Sequence, residues 1–223
     1  GEVNYEMSAK LAKAIIDSGS DGLVIGGTTG EAPTISDEEK LKLFSVVKES
    51  IGPDHALIAG TTNNNTKESV KLGKLAESTE VDGLLLTVPS YNKPTQDGLY
   101  KHFKSISEEV SIPCILYNVP SRTSLNMTDE TTIKLSKLKN IVGIKEASSD
   151  LDQITKIISN TSNDFKVWSG NDNETLYILS AGGYGIVSVA GHIVSSQIKQ
   201  LIGHVLEGNI EVAGKEHQRL LEF

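Results

Sequence analysis

Cysteine is nearly absent from this chain and positive charge is in the minority, and each shortage removes a class of function. The single cysteine, Cys114, lies in the apolar run Pro113-Cys114-Ile115-Leu116-Tyr117. No disulfide framework and no cysteine-based metal site can therefore be built, and a small buried hydrophobe is its expected role. The five histidines show no metal-ligand spacing. His192, the only one near a strand end, is expected to be structural. Lys and Arg number 21 against 29 Asp and Glu, a formal charge of −8. That excess of carboxylates opposes a nucleic-acid or acidic-membrane surface, so an anionic substrate needs a local positive site. No apolar run is long enough to span a bilayer and no signal peptide is recognisable, which points to the cytoplasm.

What is present is ordinary for a globular protein: 38% hydrophobic and 22% charged residues, enough for a sizeable core. A length of 223 residues suits one large domain or two small ones, and a single α/β barrel commonly reaches it. Short apolar runs read as strands at Gly22–Gly26, Ala56–Ala59, Gly83–Val88, Pro113–Tyr117, Ile141–Lys145, Phe165–Ser169 and Gly185–Ala190. Helical spacing falls between them, at Tyr5–Ser18, from the capping-box pattern Ser36-Asp37-Glu38-Glu39 onward, and at Thr66–Ser78, Gly98–Val110, Asp129–Leu138, Leu151–Ile158 and Glu174–Ser180, then from Ser196 to the end. Seven strands alternating with helices require right-handed crossovers and a parallel sheet. With no linker, charge block or low-complexity segment, residues 1–223 are expected to form one domain. A doubly wound open sheet stays open as an alternative, although the Gly-x-Gly-x-x-Gly fingerprint at a first strand–helix turn is missing. The chain opens on a helix, so the first strand of an eight-stranded barrel would lie upstream of Gly1.

Chemistry is expected at the strand ends, because in a parallel barrel they converge on one face. The strand Ile141-Val142-Gly143-Ile144-Lys145 ends an apolar, β-branched run with a lysine. Little water at that point disfavours the ammonium, and a neutral amine can attack a carbonyl. The first strand leads into Gly26-Gly27-Thr28-Thr29-Gly30-Glu31, whose hydroxyls and N–H groups suit a carboxylate; it is not a P-loop, since no Gly-Lys-Ser/Thr follows. Tyr91 stands on the stiff loop after the third strand. The fourth leads into Tyr117-Asn118-Val119-Pro120-Ser121-Arg122-Thr123, a phenol at the strand end and a guanidinium able to fork a carboxylate. Taken singly, Lys145 can be a solvent-reaching strand end, Tyr117 a satisfied core phenol, Arg122 a surface fork and the glycines mere turns. Taken together, these residues on one face describe a Schiff-base aldolase for acids.

The segments Gly27-Thr28-Thr29-Gly30-Glu31, Tyr117 to Thr123 and Gly143-Ile144-Lys145-Glu146-Ala147 closely resemble motifs of the dihydrodipicolinate synthase family, and the resemblance runs in order over essentially the whole chain. It implies a (β/α)8 TIM barrel that condenses pyruvate with aspartate semialdehyde in lysine and diaminopimelate synthesis, without metal or organic cofactor. It implies that Lys145 forms the pyruvate imine, that Tyr117 is the general acid/base, and that Thr28 links it to Tyr91 from a neighbouring subunit. Thr28 and Thr29 would hold the pyruvate carboxylate, Arg122 that of the semialdehyde, and Gly170 and Val187 would line the site through backbone groups. A homodimer or homotetramer follows from the role of Tyr91, with no nucleic-acid or membrane partner.

The pattern also departs from the family. Its first strand and its C-terminal helical region are expected to be missing here. Ser90 stands where many members carry a second tyrosine, and Thr62 replaces a common glycine. Asn64 and Glu68 match a lysine-inhibition pocket, but Asp37, Lys40 and Ser90 replace other parts of it, so feedback by millimolar lysine is expected to be weak or absent. Rival readings are another pyruvate-dependent lyase, such as N-acetylneuraminate lyase or a 2-keto-3-deoxy sugar acid aldolase, and a non-catalytic binding barrel. A phosphate-binding isomerase barrel is the weakest, since only glycines follow the last strands.

Overall fold

Seven parallel strands stand in space in the same order as in the sequence, β1 to β7, which is what right-handed helical crossovers between neighbours produce. The computed structural model describes residues 1–222. Its elements run α1 (Tyr5–Asp17), β1 (Gly22–Ile25), α2 (Asp37–Ile51), β2 (Ala56–Gly60), α3 (Thr66–Glu77), β3 (Gly83–Thr87), α4 (Gln96–Glu109), β4 (Cys114–Asn118), the single turn α5 (Pro120–Thr123), and α6 (Asp129–Leu135). There follow β5 (Ile141–Glu146), α7 (Leu151–Asn160), β6 (Lys166–Ser169), α8 (Thr175–Ser180), β7 (Gly185–Ile186), α9 (Gly191–Leu206) and α10 (Ile210–Leu220).

Local chemistry sets the helix starts. The capping box at α2 forms as its spacing predicts: Glu39 N–H donates to Ser36 Oγ at 3.2 Å and Ser36 N–H donates to Glu39 Oε2 at 2.8 Å. Thr95 caps α4 by accepting from Gly98 N–H at 3.2 Å, which moves that helix start two residues ahead of the expected Gly98. Helix α9 begins at Gly191 rather than Ser196 and carries a kink at Val194, whose φ is −125°. The largest difference is β7, expected over Gly185–Ala190 but confined to Gly185–Ile186. Its continuation leaves the ladder because Ser188 donates its hydroxyl, and Val189 and Ala190 their N–H groups, to the carboxylate of Asp172. One side chain takes over the role that a neighbouring strand would otherwise play.

The sheet has two dressed faces. Its outer face packs with the helices into the main core, where Phe44, Phe103, Leu84, Leu116, Met127 and Ile144 are fully buried. A smaller inner cluster holds Leu85, Ile115, Tyr117, Val119 and Ala147. The sheet curls: α1 packs on α9, Ser20 Oγ lies 2.7 Å from Ser195 Oγ, and Lys199 Nζ lies 2.6 Å from Asp21. Strands β1 and β7 nonetheless do not pair, and no eighth strand joins them among the described residues.

The ladder between β4 and β5 is irregular. Its register passes from Cys114↔Ile141 to Ile115↔Gly143, so Val142 is an extra residue. Gly143 sits at that bulge, and a Cβ there would meet the Lys166 carbonyl oxygen and the Trp168 ring. Gly143→Ala is expected to cost about 1–3 kcal/mol by overpacking. Urea unfolding would measure it, and an unchanged midpoint would mean that β5 and β6 can move apart.

Candidate active site

The bulge turns Lys145 to the inner face. Past it, Tyr117 and Lys145 are register partners at the ends of β4 and β5, and Lys145 Nζ stands 4.2 Å from the centroid of the Tyr117 ring. Lys145 is 9% exposed. Its burial lowers the amine pKa to about 8; Asp172 opposes that shift and Arg122 reinforces it. Burial also dominates at Tyr117, raising its phenol above the ordinary value against the opposing influence of Arg122 and the Thr28 hydroxyl. The resting pair is thus a protonated phenol beside an amine that can be neutral near physiological pH, so Tyr117 begins as a proton donor.

A cavity of about 680 Å³ opens over this pair. Thr29, Tyr117, Arg122, Lys145 and Gly170 line it, five of the eight residues marked from the sequence. Arg122 reaches the cavity on α5, the one-turn helix that Pro120 opens at its first position, and forms no ion pair among the described residues. Gly170 has no room for a side chain, since a Cβ would meet Ala147 Cβ at 2.8 Å and Lys145 Cε at 3.1 Å.

The other three residues stand elsewhere. Thr28 acts on the Tyr117 hydroxyl without lining the cavity. Val187 is displaced by its neighbour Ile186, which lines the cavity, while the Val187 N–H donates to the Ser169 carbonyl at 2.9 Å. Tyr91 is 92% exposed, with φ of 73° on the loop after β3, and is not part of the cavity wall. His192 is exposed, with Nδ1 3.0 Å from the Val189 carbonyl, and also stays outside.

Two acids were not singled out from the sequence. Asp172 lines the cavity, held by Ser188, Val189 and Ala190, and its negative charge opposes the deprotonation of Lys145. Nothing in its Ser-Gly-Asn-Asp setting marks it, because its partners lie 16 to 18 residues downstream. Glu146 follows Lys145 and is fully buried on the opposite face. Its signal was legible: an acid inside a strand that is apolar on both faces. Among the described residues no group of three or more His, Cys, Asp or Glu side chains could hold a metal ion, and no helix is long and apolar enough to cross a membrane.

The arrangement combines a nucleophilic amine, a proton donor and an unpaired guanidinium around one cavity, which suits imine chemistry on a carboxylated carbonyl compound. Comparison with known proteins points the same way. The model of the dihydrodipicolinate synthetase family matches residues 1–223. The 4-hydroxy-tetrahydrodipicolinate synthase of Dehalococcoides mccartyi is 54% identical over 220 residues, which cover 99% of this chain and 74% of that one. The crystal structure of dihydrodipicolinate synthase from Aquifex aeolicus superposes with a TM-score of 0.97 at 40% identity, covering 100% of this chain and 76% of that one. The enzyme from Acinetobacter baumannii, solved in complex with pyruvate, gives 0.94 at 34% identity, covering 98% and 75%.

Proposed function

Since the chain belongs to the dihydrodipicolinate synthetase family, we propose that it is a class I aldolase-type lyase condensing pyruvate with L-aspartate 4-semialdehyde to 4-hydroxy-tetrahydrodipicolinate, in lysine and diaminopimelate biosynthesis. The observation that carries this reading is the amine of Lys145, buried and 4.2 Å over the Tyr117 ring inside a cavity that Arg122 also lines. The sugar-acid lyases share the lysine and tyrosine, but the whole-chain family match disfavours them. The all-parallel, curled sheet supports the reading of residues 1–223 as one (β/α) barrel domain, and a biosynthetic role supports a cytoplasmic location.

In the mechanism proposed, neutral Lys145 attacks the keto carbon of pyruvate. The oxygen takes one proton from the attacking nitrogen and one from Tyr117 and leaves as water, and the iminium remains on Nζ. The Tyr117 phenolate then takes a proton from the methyl group, whose electrons flow into the iminium to give an enamine. That carbon bonds to the aldehyde carbon of the second substrate, and Tyr117 returns the proton to the new alkoxide. The neutral amino group of the semialdehyde part then adds to the iminium carbon and passes one proton to Nζ, neutral Lys145 leaves as the ring closes, and the ring nitrogen's remaining proton returns Tyr117 to the phenol. Thr28 serves the phenol and, with Thr29, holds the pyruvate carboxylate, Gly170 lines the site beside Lys145, and Arg122 holds the semialdehyde carboxylate. Val187 is assigned a backbone role beside them. The exposure of Tyr91 supports its assignment to the site of a second copy, in a homodimer or homotetramer.

Treating the protein with pyruvate and borohydride, followed by peptide mapping, tests the reading: a reduced adduct on Lys145 is expected, and a folded chain that gains no mass would sink it. Arg122 gives a separate expectation. Arg122→Ala should raise KM for the semialdehyde by roughly tenfold to a hundredfold, the worth of a charge-assisted contact of about 1.5–3 kcal/mol. KM for pyruvate should hold, and Arg122→Lys should recover little, because an ammonium cannot reproduce the bidentate fork. Equal rises in both KM values would place Arg122 on pyruvate instead.

A further inference from the structure

The Tyr117–Lys145 pair stands on a second pair made by the next step of the same two strands. Asn118 and Glu146 are register partners, and alternation turns both to the face opposite the cavity, toward α7. Both are fully buried. Asn118 Nδ2 donates to Glu146 Oε1 at 3.0 Å and Oε2 at 3.3 Å, Ser148 N–H donates to Oε1 at 2.9 Å, and Gln153 Nε2 donates to Oε2 at 3.3 Å. Every partner of this carboxyl group is a donor. Asn118 is fixed in turn: its Oδ1 accepts from Met127 N–H at 3.0 Å, and its Nδ2 also reaches Asn126 Oδ1 at 2.8 Å. The Glu146 carbonyl accepts from Gly170 N–H at 2.7 Å, tying the cavity wall to the same residue.

A strand end needs no buried acid for packing; Leu or Val would fill the space without desolvating a carboxyl group. Burial pushes Glu146 up to about 7, and the hydrogen bonds from Asn118, Ser148 and Gln153 act against that rise. A costly group is kept at the residue covalently joined to the reactive lysine; its bonds reach β4, Ser148 and α7, and Asn118 carries the network on to the 126–127 segment. We propose that Glu146 is a positioning residue for Lys145: its clamp of donors locks the end of β5 against β4 and so holds the amine over the Tyr117 phenol. This inference rests on the reading of Lys145 as the imine-forming residue.

The test is a time course of borohydride trapping with pyruvate on the full chain, read by intact mass, alongside thermal unfolding to give the folded fraction. Glu146→Gln preserves volume but turns an amide N–H₂ toward other donors. It is expected to label the same final share of chains about tenfold more slowly, as a displacement well under 1 Å would produce. The double variant Asn118→Asp with Glu146→Gln passes the charge to the other partner and is expected to return the rate to within about threefold of wild type. Where Glu146→Gln does not fold, Gln153→Ala removes one donor from the far side of the clamp and should slow labelling about threefold. Wild-type labelling rates per folded chain in the single variants, or a double variant as slow as Glu146→Gln, overturn the inference. A wild-type chain that never labels overturns the Lys145 reading and this inference with it; a labelling wild type beside an unaffected Glu146→Gln overturns this inference alone.

Discussion

Lys145→Ala is expected to abolish pyruvate labelling and to lower kcat/KM by roughly 10⁴-fold or more, the scale of losing a covalent nucleophile. Among the described residues no other lysine lines the cavity, and Lys145→Arg should be equally inert because a guanidinium stays protonated. The size of the effect comes from burial. With the pKa lowered to about 8, roughly one chain in ten carries the neutral amine at pH 7, against about one in three thousand for a lysine at its ordinary value. The sign follows from the direction of that shift: imine trapping should rise about tenfold between pH 6 and 7 and flatten above pH 8. A profile still climbing steadily past pH 9.5 would show that the protein does not depress Lys145. Residual labelling of Lys145→Ala on another lysine would move the nucleophile elsewhere.

Tyr117→Phe is expected to lower kcat by about 10² to 10⁴, the usual worth of a positioned acid or base, with little change in KM for pyruvate. The phenol is held protonated by its burial, so its first task is donation to the departing oxygen of pyruvate. The later abstraction of a methyl proton is open to it only after that donation. Phenylalanine keeps the ring under the Lys145 amine and the packing with Ile115 and Val119, so stability should change little while turnover collapses. Labelling of Lys145 should still reach completion on long exposure, since the nucleophile is intact. An unchanged kcat would take the phenol out of the proton path.

Much of the fold was legible in local sequence alone. Alternating apolar runs and helical periods gave all seven strands, and the capping box at Ser36 opened its helix where expected. Both signals depend on neighbours a few residues apart. Tyr91 shows the opposite case, because its side chain has no work to do within its own chain's cavity. Likewise, β7 stops at Ile186 because Asp172 captures the next segment, a competition between residues that sequence spacing does not bring together.

The sequence by itself determined the succession of parallel strands and the residue types at their ends, because hydrophobic period and cap chemistry are local. Which way Lys145 faces was decided only in three dimensions. Continuing the unbroken register from Cys114↔Ile141 would set Asn118 opposite Lys145 and turn the lysine into the outer core; the extra residue Val142 shifts the count by one, sets Tyr117 opposite Lys145 and points both inward. A strand has a side-chain period of two, so a single bulged residue exchanges its faces, and whether one forms depends on how the partner strand meets it.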